Sequence, residues 1–420
     1  MLSHLLLWIT LLSTVTLGKV IHRPVGRGIR EFSGYPETEA MGVGSPASTR
    51  YKKSPLLEAT YVFDPQSRII PSKERLGLSS RSVVQSLSLS ENEVVQESCV
   101  TADGREGTCY DASVCMKRGG VPMGHCVEDS SSVCCLFEVS CGNSSYEEFT
   151  YFRNPSFPQP YEKEQLCRIK VGKRKPNICQ MRLDFLELDI ARPVDGNCSQ
   201  DMLVISGQNE NNLVPRICGL NSGHHFYVDV DESGMVSVHV MMINSYSRKF
   251  NIKVTQLECQ TYEIVPLHCL QYYTGTHGVI KSFNYDEEGS TVHQGYPNNL
   301  DYTICLKKEP GFCSVSYELA SGVSGIKPFG VGSVTASSTS TVTAPVVAEC
   351  PEDFLVIGGI RLCSGRVAAS TSIVRGRETN TTTSRLLTDS TPGPFLVRFV
   401  SDHAKNARGF NLQYRLNPCK

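Results

Sequence analysis

Eighteen cysteines are the residues of this chain with the most evident chemistry. None precedes Cys99, and the last is Cys419. An even, high count of this kind predicts disulfides and an oxidising compartment. The first six, Cys99, Cys109, Cys115, Cys126, Cys134 and Cys135, crowd into residues 98–136. That stretch is too short for a self-sufficient apolar core, so disulfides must carry its stability. Adjacent Cys134 and Cys135 are expected to reach different partners, because a bond between neighbours is strained. Zinc ligation is the competing chemistry, and the oxidising compartment and the lack of a paired C-x-x-C argue against it. Spacing alone leaves the pairing of the six open.

Hydrolytic chemistry has no visible constellation. The chain has no GDSGG-like serine motif, no histidine in an A-A-H-C-like context and no H-E-x-x-H, the patterns that a serine triad or a zinc protease would need. His224 and His225 are adjacent, so they do not project together from a strand. They are expected in a loop or at the surface. The chain is read as a non-enzyme.

The elements around these residues follow from bulk pattern. A length of 420 residues allows two or three domains, and a net charge of −1 offers no field for nucleic acid. The opening MLSHLLLWITLLSTVTLGKV has an apolar run from Leu5 to Leu12 and small residues near Gly18, which predicts a signal peptide over 1–18. No later run reaches the roughly 18 apolar residues of a membrane span, so a secreted, soluble, extracellular protein is expected. Residues 19–97, with RPVGRGIREFSGYPETEAMGVGSPAS and SLSLSENEVVQES, carry Pro, Gly, Ser and scattered charge. They cannot bury enough apolar area to offset chain entropy and are read as a disordered pro-segment or linker.

Twelve cysteines remain and divide into two sets. One is Cys141, Cys167, Cys179, Cys198, Cys218 and Cys259; the other is Cys269, Cys305, Cys313, Cys350, Cys363 and Cys419. In each set the fourth cysteine opens the same ten-residue run, CSQDMLVISG at Cys198–Gly207 and CPEDFLVIGG at Cys350–Gly359. After the third cysteine both copies alternate, with Met181, Leu183 and Phe185 in one and Val315, Tyr317 and Leu319 in the other. This is a tandem duplication, with copies over 139–260 and 264–420. Alternation of period two, broken by Gly, Pro and Asn, predicts strands. The expected fold class is all-β: two antiparallel β-sandwiches preceded by the small disulfide-rich module. The repeated run is apolar on both faces, which predicts a central strand. The second copy has a Ser, Thr, Val and Gly-rich insertion from about Gly322 to Glu349, read as a mobile surface loop, with an edge strand at STVTAPVV the less favoured alternative.

At these residues the chain resembles the CUB domain family. The resemblance rests on Cys141–Gly142, the turn NPSFPQPY, Cys167, the run CSQDMLVI and Cys218–Gly219 in the first copy. In the second it rests on CPEDFLVI and FVSDHAKNARGFNLQY. It implies disulfides Cys141–Cys167 with Cys198–Cys218, and Cys269–Cys305 with Cys350–Cys363. Cys179 with Cys259 and Cys313 with Cys419 would then pair at the same place in both copies. The six-cysteine module resembles a clip domain, the small module found before arthropod serine proteases. That likeness implies Cys99–Cys134, Cys109–Cys126 and Cys115–Cys135. As a whole the chain resembles an arthropod secreted CUB-domain protein.

The family resemblance also raises calcium as a cofactor. Many CUB domains hold one ion through a Glu, the Asp of C-x-x-D and an Asp of the F-x-S-D loop, and calcium needs several hard oxygens together. Asp353 and Asp402 match two of the three in the second copy, while the Glu position falls near Gly325. In the first copy Asp201 matches alone; the Glu position reads Ala191 and the loop reads INSY, with Asn244. The alternative is that these Asp residues cap turns or bond to backbone. Three N-x-S/T sequons, at Asn143, Asn197 and Asn380, are expected glycan sites. Asn197 directly precedes Cys198, where modification would compete with disulfide formation. The reading is a secreted, non-enzymatic binding protein whose CUB loops face an extracellular protein or glycan, in innate immunity or protease regulation. The alternative is a structural component of cuticle or extracellular matrix.

Overall fold

The computed structural model describes residues 97–420 except 127–130, 211, 232, 286–294, 321–328, 333–342, 348–349, 351, 367–386 and 405. The signal and linker expectations (apart from residue 97 itself), the Asn380 sequon and the Gly325 position lie outside the described residues. The described part belongs to one compact unit, Leu89–Lys420. It is all-β apart from one short helix, Ala112–Lys117.

The first sandwich has a four-stranded sheet in the order Asp201–Ser206, Met235–Met242, Gln165–Gly172, Ser144–Ser145. The facing sheet has five strands: His225–Asp229, Ile178–Asp189, Lys249–Glu258, Phe149–Arg153, Glu138–Val139. Alternation does what period two requires. In Met235–Met242, Val236, Val238, Val240 and Met242 are buried and their neighbours only half-buried. Met181, Leu183 and Phe185 point into the same core. The repeated run does not sit centrally here. Asp201–Ser206 ends its sheet, and beyond it the backbone of Leu203 bridges to Ile217. The Cys198–Cys218 disulfide holds that segment close; it shields one side of the strand without adding another.

The second sandwich has a six-stranded sheet, Gln271–Tyr273, Asp301–Leu306, Phe395–Val400, Phe354–Ile357, Ile360–Arg366, Thr343–Val347. Against it lies His277–Lys281, Gly409–Pro418, Phe312–Leu319, Leu387–Asp389, with Phe329–Gly330 also pairing to Gly409–Pro418. Here the repeated run is central, as its two apolar faces predict. Part of the insertion is strand rather than loop. Thr343–Val347 pairs antiparallel with Ile360–Arg366 and forms the edge of the sheet. Pro345 is tolerated because an edge needs no second ladder.

Nine disulfides pin the three parts. The small module holds Cys99–Cys134, Cys109–Cys126 and Cys115–Cys135. The first sandwich holds Cys141–Cys167, Cys179–Cys259 and Cys198–Cys218. The second holds Cys269–Cys305, Cys313–Cys419 and Cys350–Cys363. Cys179–Cys259 and Cys313–Cys419 each tie an early strand to the end of the last one. A bridge of this kind adds about 2–4 kcal/mol if unstrained, by the chain-entropy account.

The parts are not beads on a string. Phe137 stacks edge-on against Tyr110 of the module while its carbonyl accepts from Tyr151 N–H of the first sandwich. Ion pairs Arg105–Glu138, Arg118–Glu147 and Lys253–Glu106 close that joint. Between the sandwiches, Phe226 meets Phe283 at 5.3 Å and Tyr227 N–H donates to Leu270 O at 2.8 Å. Two glycines at positive φ make room for asparagines from the second sandwich. A Cβ on Gly219 would lie 2.0 Å from Asn284 Oδ1, and one on Gly196 would lie 2.0 Å from Asn298 Oδ1. Asn284 Oδ1 accepts from Leu220 N–H, and Asn298 N–H donates to Gly196 O.

Candidate functional site

Asp201 opens its strand with a fully buried carboxylate, and Arg248 lies fully buried beside it. Arg248 Nε donates to Asp201 Oδ2 at 2.8 Å and Nη2 to Oδ1 at 2.9 Å. The same guanidinium donates to the carbonyls of Tyr246, at 3.1 Å, and Asn244. Ala191 N–H completes the carboxylate at 2.8 Å. Both oxygens of Asp201 are thus committed to donors, and a fixed cation stands where a metal ligand would face its ion. The first sandwich does not fit calcium at Asp201. Its Glu position is Ala191, and the cation it uses is covalently attached. Arg supplies a planar fork that matches a carboxylate, which a bare ion does not.

The matching position in the second sandwich is built differently. Asp353 is buried, and its donors among the described residues are a tyrosine hydroxyl and a backbone N–H. Tyr296 Oη donates to Asp353 Oδ2 at 2.5 Å, and Asp402 N–H donates to Oδ1 at 2.7 Å. Asp402 Oδ1 in turn accepts from Ala404 N–H at 2.8 Å. Burial pushes the Asp353 carboxyl above its ordinary value, the two donors pull it down, and the charge of Asp402 pushes it up again. The structure therefore brings Asp353 and Asp402 together. The charge of Glu352 also acts on Asp353, but among the described residues no third carboxylate converges with the pair. The one converging trio of ligand-type side chains is Cys99, Cys109 and Cys126, all already in disulfides. Two carboxylates fall short of a calcium shell by themselves.

A groove of about 830 Å³ runs where the three parts meet. Its floor is the outer face of the five-stranded sheet, carrying Arg182, Asp184, Tyr227, Lys253 and Thr255. Glu106 of the small module forms one wall; Tyr262, Glu263, Tyr272 and Lys307 form the other. Arg182 pairs with Asp184 and donates to Tyr227 Oη at 3.1 Å. Tyr262 is 98% exposed at the rim, and Thr255 Oγ1 is buried in the floor without a hydrogen-bond partner among the described residues. Tyrosine and arginine are the residues enriched in protein-recognition surfaces.

His225 opens the strand His225–Asp229, and His224 lies in the loop just before it, but neither is at the surface. Both are buried. The second sandwich packs against both rings. His224 Nδ1 lies 3.0 Å from Gln271 Nε2, and its ring is 5.1 Å from Phe283. His225 Nε2 accepts from Tyr272 N–H at 2.9 Å, with Tyr227 and Tyr273 against its ring. Burial pushes His224 down to about 3, helped by the charges of His225 and Lys281. Burial and the charge of Arg182 push His225 down to about 4.

A CUB domain model matches residues 141–253, and an animal CUB domain model matches 266–417. The chain carries two CUB domains. Such domains are typically non-enzymatic binding modules, and with this many disulfides they are typical of extracellular proteins. No helix among the described residues is long and apolar enough to cross a membrane. No curated protein matches the chain. Among solved structures, the CUB1-EGF-CUB2 domains of rat MASP-1 are 15% identical, covering 66% of this chain and 99% of that one, at a TM-score of 0.23. The MASP-1 CUB2 domain bound to Ca2+ is 18% identical, covering 27% of this chain and 98% of that one, at 0.22. The full extracellular region of zebrafish Gpr126/Adgrg6 is 14% identical, covering 66% of this chain and 37% of that one, at 0.23. Superpositions this loose carry no argument about ligands.

Three features of the CUB pair escaped sequence reasoning. Arg248 follows the INSY loop, and its charge so close to an expected metal loop was the available signal. Tyr296 sits in GYPNNLDY with nothing in its type to mark it. The burial of HHFYVDV depends on the other domain. The sequons at Asn143 and Asn197 are both exposed. Asn197 borders the seam, in a cleft shared with Asn298 and Asn299 of the second domain.

Proposed function

We propose that this chain is a secreted, non-enzymatic binding protein that holds an extracellular protein in the groove shared by the small module and both CUB domains. The observation that carries the reading is the groove itself, walled by three disulfide-pinned parts and lined by tyrosines and paired charges. Its acidic and basic side chains nearly balance, which favours a mixed protein surface over a polyanion such as a sulfated glycan. A role in innate immunity or in restraining an extracellular protease is consistent with a clip-like module fixed beside CUB domains. The joint spends Arg105, Glu106, Tyr110 and Arg118 of that module on the first CUB domain. It acts as a wall of the site and not as a free docking unit.

Calcium, if used, belongs to the second domain, where Asp353 and Asp402 would hold it and order the loop end; Arg248 serves the first domain in its place. The test is a capture experiment from extracellular fluid, with cross-linking and calcium controlled. Wild type should retain a partner that Tyr262→Ala with Lys307→Glu loses. A variant of an exposed residue that does not line the groove, His277→Ala, should retain it. Equal retention by all three would sink the groove as the site. Partition of the whole chain into insoluble matrix, unaffected by groove variants, would favour the structural role.

A further inference from the structure

We infer that the seam between the two CUB domains is an acid-sensitive hinge, closed by the neutral rings of His224 and His225 and opened when they take up protons. The part concerning the groove rests on the binding role proposed above; the hinge itself does not.

Geometry makes the case first. Tyr272 N–H donates to His225 Nε2, so that nitrogen must carry no proton in the closed seam. Protonation there sets a donor against a donor across the joint. His225 is packed between Tyr227 of its own domain and Tyr273 of the other, with no space for a hydration shell. His224 is buried between Gln271 and Phe283, both from the second domain. The seam therefore has two imidazoles in its first domain, each of which touches the second.

Among the described residues, no group placed against the two rings would welcome the charge. Lys281 faces His224, and Arg182 faces His225; both are cations. Asp184 lies opposite His225 across the ladder, but Arg182 already holds it through Nε at 2.9 Å and Nη2 at 2.8 Å. Tyr227, Tyr272 and Tyr273 are neutral, with burial holding their hydroxyls protonated. The charge of Glu263 acts on Tyr227, and that of Glu309 acts on Tyr272.

The direction follows from linkage. A freed imidazole titrates near 6.5, and the closed seam holds these two at about 3 and about 4. The closed form therefore binds fewer protons. Its full advantage holds above pH 6.5 and falls away as pH drops from 6.5 towards 4. At pH 5 each histidine shifts the balance towards the open form by roughly 30-fold. Opening would separate Tyr227 from Tyr272, which are respectively in the floor and the far wall of the groove. Mild acid would thus release whatever the groove holds.

Hydrogen exchange on the full disulfide-bonded chain tests this, at pH 7.5 and pH 5.0, with rates corrected for intrinsic exchange. The amides of Tyr227 and Tyr272, which donate across the joint to Leu270 O and His225 Nε2, report the seam; those of Val236–Val240 report the interior of the first domain. The seam amides should lose at least about tenfold more protection at pH 5.0 than the interior ones. The double variant His224→Phe with His225→Gln keeps a ring on Phe283 and an acceptor for Tyr272, but cannot titrate; its seam should stay closed. If that variant is not secreted, His225→Gln alone keeps an acceptor for Tyr272 and should lose roughly 30-fold less seam protection than wild type at pH 5.0. Equal protection of the wild-type seam at both pH values overturns the hinge, and so does an equal loss in wild type and variant. A hinge that opens in a chain whose groove variants bind like wild type leaves the hinge standing and removes the groove from the function.

Discussion

Asp201 and Asp353 stand at the same point of the same repeated run, yet they meet different partners. In the first CUB domain a buried guanidinium takes both oxygens and two loop carbonyls besides. In the second a tyrosine hydroxyl and a backbone N–H take one oxygen each, and a second carboxylate lies alongside. One copy carries its own cation; the other keeps acidic oxygens without one among the described residues. Conserving a residue type through duplication therefore did not conserve its chemistry. The neighbours that decide it lie far along the chain, at Arg248 in one copy and at Tyr296 and Asp402 in the other.

The comparison can be broken most directly at Arg248. Arg248→Ala leaves Asp201 charged, buried and unpaired, and should cost about 3–5 kcal/mol in denaturant unfolding. The matched pair Asp201→Leu with Arg248→Met should recover most of that loss. A cost below about 1 kcal/mol for the single variant would mean the pair does not close the loop end. Next in size are the two terminal staples. Removing Cys179–Cys259 or Cys313–Cys419 as an Ala pair should cost about 2–4 kcal/mol each. The second should cost slightly more, because it closes a separation of 106 residues against 80. Tyr296→Phe removes a hydrogen bond to a buried carboxylate and should cost about 1.5–3 kcal/mol. No tyrosine plays this part at Asp201, so the loss is specific to the second domain. The smallest effect is calcium itself. If it binds in the weak range of extracellular sites, millimolar ion should stabilise the second domain by about 1 kcal/mol. Exchange protection should rise around Asp353 and Asp402 and stay unchanged around Asp201 and Asn244. A rise at both, or at Asp201 alone, would contradict the assignment of Arg248 as the resident cation.

Much of the fold was legible because it is local. Alternation in VSVHV and in Met181–Phe185 reports a buried face directly, since side chains of a strand must alternate. The duplication showed through the cysteine order. The edge position of Asp201–Ser206 was not legible. An apolar strand reads the same whether a strand or a disulfide-held segment covers its second side. Thr343–Val347 was obscured by its Ser, Thr-rich surroundings, whose composition is equally that of a loop. The histidines show the limit most plainly: HHFYVDV read alone put both rings in a loop or at the surface. Both are buried because another domain lies against the strand edge.

By itself, the sequence determined the alternation of many strands, that the domain is written twice and that an even set of cysteines would pair. These follow from spacing, and spacing is a property of the chain. Only the tertiary structure decided that Asp201 meets Arg248 and Asp353 meets Tyr296, and that two histidines seal a seam beneath a groove made by three parts. Each of those pairings joins residues distant in sequence, and the energy of a charge depends on what lies within a few ångströms of it in space.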